Sequence, residues 1–236
     1  ALQSISTEKK VGMIPAGVIH DNGQLEKLST AKNVDSIIDL LTQCKLQNYV
    51  PVLAEYQIEA GVRPRPRLLT EARLDSMYYQ NLKKAVLETK DGSTLSQAIG
   101  IMIDMTNLQI ILRAIIDGSG AEAAEFTISG GYTISGEVAK ELLALKLGDL
   151  PGRLEKTPYL DVVQEVLTNY NRTKSISVVE EITSKHKFRL VKEILSLRLL
   201  SPLIIAWYLI LKELEIRNLR LIVKAMFDNI SLEEIR

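Results

Sequence analysis

Cysteine occurs once in the 236 residues, as Cys44, which excludes an intrachain disulfide. With only two histidines the chain is also too poor in soft ligands for a structural zinc site. Three Phe and one Trp give no stacking platform for single-stranded nucleic acid. Neither sign of charge dominates. Lys plus Arg and Asp plus Glu are 29 each, so no basic field recruits nucleic acid and no acidic tail is present. The N-terminal stretch lacks the charged, apolar, small-residue order of a signal peptide. No GxxxxGK[ST] phosphate loop occurs, and Gly130-Gly131 reads as a turn rather than part of a GxGxxG. Leu199 to Leu211 carries no charge but is only thirteen residues long. A membrane-spanning helix needs roughly 20, so this stretch is expected to be a buried core helix.

Period-two alternation is nearly missing as well, which turns attention to what is present. Apolar residues recur at three-to-four spacing over Leu28–Leu46, Leu74–Leu87, Leu95–Ile116, Val138–Leu147, Tyr159–Leu167 and Phe188–Phe227, the last interrupted at Pro202. That is the signature of helices. Glycine and proline punctuate the gaps at 15–17, 21–23, 61–66, 91–92, 118–120, 130–131 and 151–152. Thr94, Ser135, and Thr157 with Pro158 suit helix starts. The expected class is all-α, with length for one large domain or two modest ones.

An internal repeat organises the helices. Asp104-x-x-Asn107-Leu108 with Arg113-Ala114-x-x-Asp117 matches Glu215-x-x-Asn218-Leu219 with Lys224-Ala225-x-x-Asp228, at an offset of 111 throughout. Ile14-Pro-Ala-Gly17-Val resembles Ile128-Ser-Gly-Gly131-Tyr, and each is followed by a helical run and a tyrosine, Tyr49 and Tyr159. This period is too long for a helix-pair solenoid and reads as duplicated, domain-sized helical units. The expected division is 1–95 and 96–236. The opening ALQS matches the tail of a motif helix at Ala114–Asp117, which implies a parent protein with more sequence upstream.

At 100° per residue, Arg217, Arg220 and Lys224 share about 60° of the last motif helix. Thr106, Gln109 and Arg113 occupy that stripe in the earlier copy. The remaining circumference is mostly apolar, so both helices are expected to be wrapped by neighbours. Asp104, Asn107, Glu215 and Asn218 project into the apolar arc. A buried acid and amide need hydrogen-bonding partners, and at i, i+3 both reach the same neighbour. They are expected to be structural pins, and Glu215→Ala is expected to lower stability. Arg113, Arg217, Arg220 and Lys224 form a candidate interface.

No histidine, second carboxylate or metal set stands at a catalytic spacing. His186 in SKHKFR is expected on a solvated face, and His20 in a turn. Arg63, Arg65 and Arg67 alternate with prolines and are expected to be extended and exposed. Two readings compete with a structural component of a larger machine: a soluble all-helical scaffold or adaptor sharing the duplicated unit, and an enzyme using Glu215 or Asp104 as a buried acid or base.

The ending SPLIIAWYLILKELEIRNLRLIVKAMFDNISLEEIR resembles the C-terminus of the C subunits of archaeal and bacterial A/V-type rotary ATPases, relatives of the d subunit of the vacuolar ATPase. Pro202, Trp207-Tyr208, Lys212-Glu213-Leu-Glu215, Asn218-Leu219-Arg220 and Ser231 to Arg236 carry the likeness. The Asn-Leu helix with its Gly-Gly turn, and TPYLDVV, add to it. The likeness covers 95–236 well and 14–55 weakly; residues 56–73, with GVRPRPR, depart from it. It implies three helical units in a pseudo-threefold funnel, of which the first is lacking here. The function it implies is a non-catalytic central-rotor subunit of an H⁺- or Na⁺-transporting ATP synthase or ATPase. Such a component is a socket between central-stalk subunits of the D and F type and the proteolipid ring. It lies peripherally on the cytoplasmic face of the membrane, touching the membrane only through the ring. No cofactor and no nucleic acid are implied.

Overall fold

The structure, a computed structural model, describes residues 17–62, 66–196 and 201–227, together with Leu2 and Ile5. Among the described residues the chain is all-α, without a strand. The N-terminal part opens with two short helices, α1 (Val18–Asp21) and α2 (Leu25–Ser29). Helix α3 (Val34–Gln43) follows, capped by the Asn33 side chain, which accepts the Ser36 amide hydrogen. Its buried Val34, Ile37, Leu40 and Leu41 form one face. They pack with Leu2, Ala31 and Leu53 as a small core.

A 3-10 turn at Gln47–Tyr49 feeds α4 (Val50–Glu59), with Pro51 in its first turn. Proline suits that place because the first-turn amides have no helical acceptor. Helix α4 lies outside the expected helical runs. Only Leu53 along it is buried, so it lacks the repeating apolar face that spacing detects. Helix α5 (Pro66–Leu87) comes next. Arg67 therefore sits in a helix and pairs with Glu71 one turn on, not in an extended loop. The proline before it sets a helical φ as readily as an extended one. Arg63 and Arg65 lie outside the described residues.

The centre of the molecule is α6 (Gly92–Asp117). Its N-cap is Asp91, in a left-handed conformation, not Thr94. The Thr94 amide already donates to the Asp91 carbonyl, so Thr94 falls inside the first turn. Helix α6 packs most extensively against α11 and α5. Between α6 and α11 come α7 (Gly120–Ala123), a 3-10 turn at Ala124–Phe126, α8 (Gly136–Leu143), a 3-10 turn at Leu147–Asp149, α9 (Leu150–Leu154) and α10 (Leu160–Thr173). The Ser135 side chain caps α8 by accepting the Val138 amide hydrogen, as the sequence leads one to expect. Thr157 caps no helix. Its hydroxyl donates to the Leu154 carbonyl and accepts from the Tyr159 amide, and α10 starts just after Tyr159.

Helix α11 (Ser177–Leu195) begins well before the expected start at Phe188. Its early apolar residues Val178, Val179 and Ile182 are interrupted by charges that face solvent. Helix α12 (Leu203–Phe227) ends the described chain. The main core joins Met105, Leu108, Ile111 and Leu112 of α6 to Leu142, Leu150, Tyr159, Val163, Val179, Leu195 and Trp207. Each such side chain contributes roughly 1.5–3 kcal/mol when fully buried.

The apolar stretch before Lys212 is not a core helix. Leu203 and Trp207 are buried, whereas Ile205, Tyr208, Leu209 and Leu211 face solvent. Only one side of α12 meets α11. Helix α6 is the described helix with the length and apolar content of a membrane span. It is mostly covered by protein, and Asp104 and Asn107 lie near its middle.

Candidate functional site

Asp104 and Asn107 are fully buried on one side of α6. Both read the main chain of the loop at 127–135. The Asn107 amide nitrogen donates to the Ile128 carbonyl at 2.8 Å, and its oxygen accepts from the Ile128 amide at 2.7 Å. One side chain thus satisfies both polar groups of one buried residue, as two ladder bonds would in a sheet. Asp104 Oδ2 accepts from the Thr133 and Ile134 amides at 2.6 and 3.2 Å, and from the Tyr159 hydroxyl at 2.6 Å. The hydroxyl therefore ties the start of α10 to the middle of α6.

The loop comes this close only because residue 131 is glycine. A Cβ there would lie 1.9 Å from Asp104 Oδ1 and 2.6 Å from the Ile134 carbonyl oxygen. At Gly100, one turn before Asp104, an added Cβ would press on the Tyr132 backbone at 3.0 Å. Lys83 of α5 fastens the outer side of the loop by donating to the Gly130 carbonyl at 2.7 Å.

Burial raises the Asp104 pKa above the usual carboxylate range. The bonds from Tyr159 and the main-chain amides oppose that shift without cancelling it. Burial, followed by the charge of Asp104, pushes the Tyr159 hydroxyl upward, so it stays a donor. Asp104 Oδ1 is buried without a hydrogen-bond partner. The group is closed on all sides, so its geometry holds helices rather than handling a substrate.

The other sequence-derived sites are arranged differently. Glu215 and Asn218 are exposed, not inward-facing. Glu215 accepts from Lys212 at 2.6 Å, one turn before it. The reason is that nothing among the described residues covers this side of α12. Subtracting 111 from its ends, Leu203 and Phe227, gives Gly92 and Ile116, so α12 and α6 occupy nearly the same span of the repeat. On α6, Met105, Leu108 and Leu112 are 1, 0 and 0 % exposed; their counterparts Ile216, Leu219 and Val223 are 49, 53 and 50 % exposed.

Two of the four candidate interface side chains, those of Arg113 and Arg220, lie among the described ones. Arg113 pairs with Glu180 of α11. With Thr106 and Gln109 it lines a cleft of about 520 Å³ that also takes in Glu71, Asp75 and Asp117. Burial raises the Asp75 pKa. Arg220 is exposed beside Leu219 and Val223. The side chains of Arg217 and Lys224 lie outside the described ones.

His186 is buried rather than solvated. Its Nε2 is 2.6 Å from Glu165 Oε2, and its Nδ1 is 3.0 Å from Arg189 Nη2. A guanidinium only donates, so Nδ1 accepts and Nε2–H donates to Glu165. That bond, followed by the one from Lys185, lowers the Glu165 pKa. Neighbouring lysines hid this role in the sequence, because their charge masks the apolar side of α11. His20 is exposed at the end of α1. Tyr49 directly precedes α4 and Tyr159 directly precedes α10; Tyr159 is fully buried, whereas Tyr49 is only partly so. Sequence reading singled out Gly131, Tyr159 and Asp104 separately. Their convergence was hidden because the residues between them are irregular. Among the described residues, no group of three His, Cys, Asp or Glu side chains stands ready to hold a metal ion.

A buried acid–Asn pair gripping a glycine turn in an all-helical chain defines an architecture, and comparison with known proteins supplies the family. The ATP synthase (C/AC39) subunit family matches residues 2–236. The chain belongs to this family. Among curated relatives, the C subunit of the A-type ATP synthase of Methanocaldococcus jannaschii is 28% identical over 229 residues, covering 95% of this chain and 56% of the relative. The corresponding protein of Methanococcoides burtonii is 30% identical over 220 residues, covering 90% and 57%. That of Pyrococcus furiosus is 28% identical over 228 residues, covering 95% and 59%. The chain thus spans a little over half the length of these relatives. No solved structure matches it. The matched family is described as one of ATP synthase subunits, and the relatives are named as C subunits of A-type ATP synthases.

Proposed function

We propose that this chain works as part of a non-catalytic rotor subunit of an A/V-type rotary ATPase or ATP synthase. In this reading it is a helical socket between the central-stalk subunits, of the D and F type, and the proteolipid ring. It sits on the cytoplasmic face of the membrane and contacts the membrane through the ring. Nucleotide chemistry and ion translocation belong to other subunits. The observation that carries the reading is the family match over residues 2–236.

The physics of the centre supports it. A part that passes torque needs helices that do not slide on one another. The Asp104–Tyr159 and Asn107–Ile128 bonds lock α6, α10 and the intervening loop in register. Buried polar bonds of this kind specify one arrangement because breaking any of them strands a desolvated partner. An enzyme site would instead leave its acid accessible, whereas Asp104 is sealed by Gly131 and the loop.

The test is isolation of the tagged chain from detergent-solubilised membranes. Co-isolation with proteolipid and stalk subunits is the expected result. Recovery without either would overturn the reading.

A further inference from the structure

Away from the Asp104 centre, the contact of α10 with α11 holds a buried titratable side chain, His186. Its ring lies between an anion and a cation, Glu165 at Nε2 and Arg189 at Nδ1. Because a guanidinium can only donate, this arrangement needs the neutral ring, with its hydrogen on Nε2. A second proton would go to Nδ1. The ring then cannot accept from Arg189, and two cations meet at hydrogen-bonding distance. The bond from Nε2–H to Glu165 survives and becomes charge-assisted. Protonation therefore expels Arg189 and keeps Glu165.

A second acceptor lies within reach of the expelled guanidinium. Asp161 Oδ2 is 3.5 Å from the same Arg189 nitrogen, a loose ion pair. Asp161 precedes Glu165 by one turn of α10, and Arg189 follows His186 by one turn of α11. The pairs 165–186 and 161–189 are thus stacked along one seam. At His186, Arg189 bonds within its own helix; at Asp161, it would bond across to α10.

We propose that His186, Arg189 and Asp161 form a pH-set latch between α10 and α11. With His186 neutral, Arg189 is held by the ring. With His186 protonated, Arg189 crosses to Asp161 and adds a cross-helix tie to those that Glu165 makes with His186 and Lys185. Acid thereby fastens the two helices more firmly until the carboxylates themselves take up protons. The latch rests on these two helices alone and stands whether or not the rotor reading holds.

The other charged groups packed near α11 are engaged elsewhere. On α6, Arg113 pairs with Glu180 and Asp104 serves the 127–135 loop and Tyr159. On α12, Lys212 and Glu215 pair with each other. Lys187 lies toward Met102 and Ile210. Among the described residues, His186 bonds only to Glu165 and Arg189, and Asp161 pairs only with Arg189.

The test is nuclear magnetic resonance of the purified, ¹⁵N-labelled chain between about pH 8 and about pH 5, the span in which histidine changes charge. At the upper end the ring nitrogens are expected to report hydrogen on Nε2 alone. The Arg189 guanidinium signals are expected to move with the same midpoint as the ring. Amide-exchange protection at 163–169, corrected for intrinsic rates, is expected to rise about threefold across that midpoint, the size of one exposed ion pair. In Asp161→Asn the ring still titrates, but the gain in protection is lost. Asp161 is exposed, and circular dichroism checks that the variant keeps its helices. Lys185→Ala is expected to leave the coupled movement of Arg189 and the ring intact. Hydrogen on Nδ1 at the upper end, a ring that never titrates, or Arg189 signals indifferent to its titration would overturn the proposal. So would a gain in protection that persists in Asp161→Asn.

Discussion

Helices α6 and α12 share an acid-x-x-Asn-Leu pattern and nearly the same limits once offset, yet they live in different surroundings. On α6 Asn107 and Asp104 Oδ2 are matched to named donors and acceptors, and the apolar positions Met105, Leu108 and Leu112 are sealed. On α12 the same pattern faces water. A sequence pattern therefore encodes what a helix can bind, while its burial depends on what else is there to bind it. Wheel geometry is a property of one helix; coverage is a property of its neighbours.

The contrast makes graded demands on mutation. Gly131→Ala is expected to be the most damaging single change. Its Cβ would overlap Asp104 Oδ1, and the loop must move away from α6, costing about 4 kcal/mol or more. Denaturant melts of purified protein measure this; a normal midpoint would show that the loop gives way freely. Asp104→Ala comes next, at about 3–5 kcal/mol, because it leaves a hydroxyl and two amides without their acceptor. Glu215→Ala is expected to stay within about 0.5 kcal/mol. That reverses the loss of stability expected from sequence, where Glu215 was placed inside. Leu108→Ala against Leu219→Ala repeats the comparison with apolar groups: about 2–5 kcal/mol for the first and within about 0.5 for the second.

The smallest expected effect is a pH dependence in which Asp104 of α6 and Glu165 of α10 act with opposite signs. Asp104 has a folded-state pKa above its unfolded value. The folded state then holds more protons than the unfolded one between the two values, so its contribution to stability falls as pH rises through that window. The sign is opposite to that of an ordinary salt-bridged carboxylate. Glu165, whose pKa is lowered, acts in the usual sense and contributes stability that is lost as pH falls through its folded value. Melts of Asp104→Asn and Glu165→Gln against pH separate the two slopes. Equal slopes in the wild type and in Asp104→Asn would contradict the assignment.

The helical class, the Ser135 cap and the central place of the 104–117 segment were legible because periodic burial and capping are local signals. The inward face of Asp104 and Asn107 was legible too, since an acid and an amide in an apolar arc have few other uses. Helix α4 was not, because one buried residue makes no periodicity. His186 was misread because lysines on either side advertise solvent while the imidazole turns toward Glu165. Tyr159 and Gly131 were visible as features, but their meeting at Asp104 required the path of the loop from 127 to 135. The exposure of α12 was illegible in principle. Its own residues ask for cover, and nothing in them says whether it is supplied.

The central claim is that two like helices differ in cover. Amide hydrogen exchange on the isolated chain, resolved by residue, tests it most directly. Amides at 104–112 are expected to exchange at least roughly a hundredfold more slowly than those at 215–223, since opening energies run from near zero at exposed ends to the global value in cores. Equal protection along both helices would contradict it.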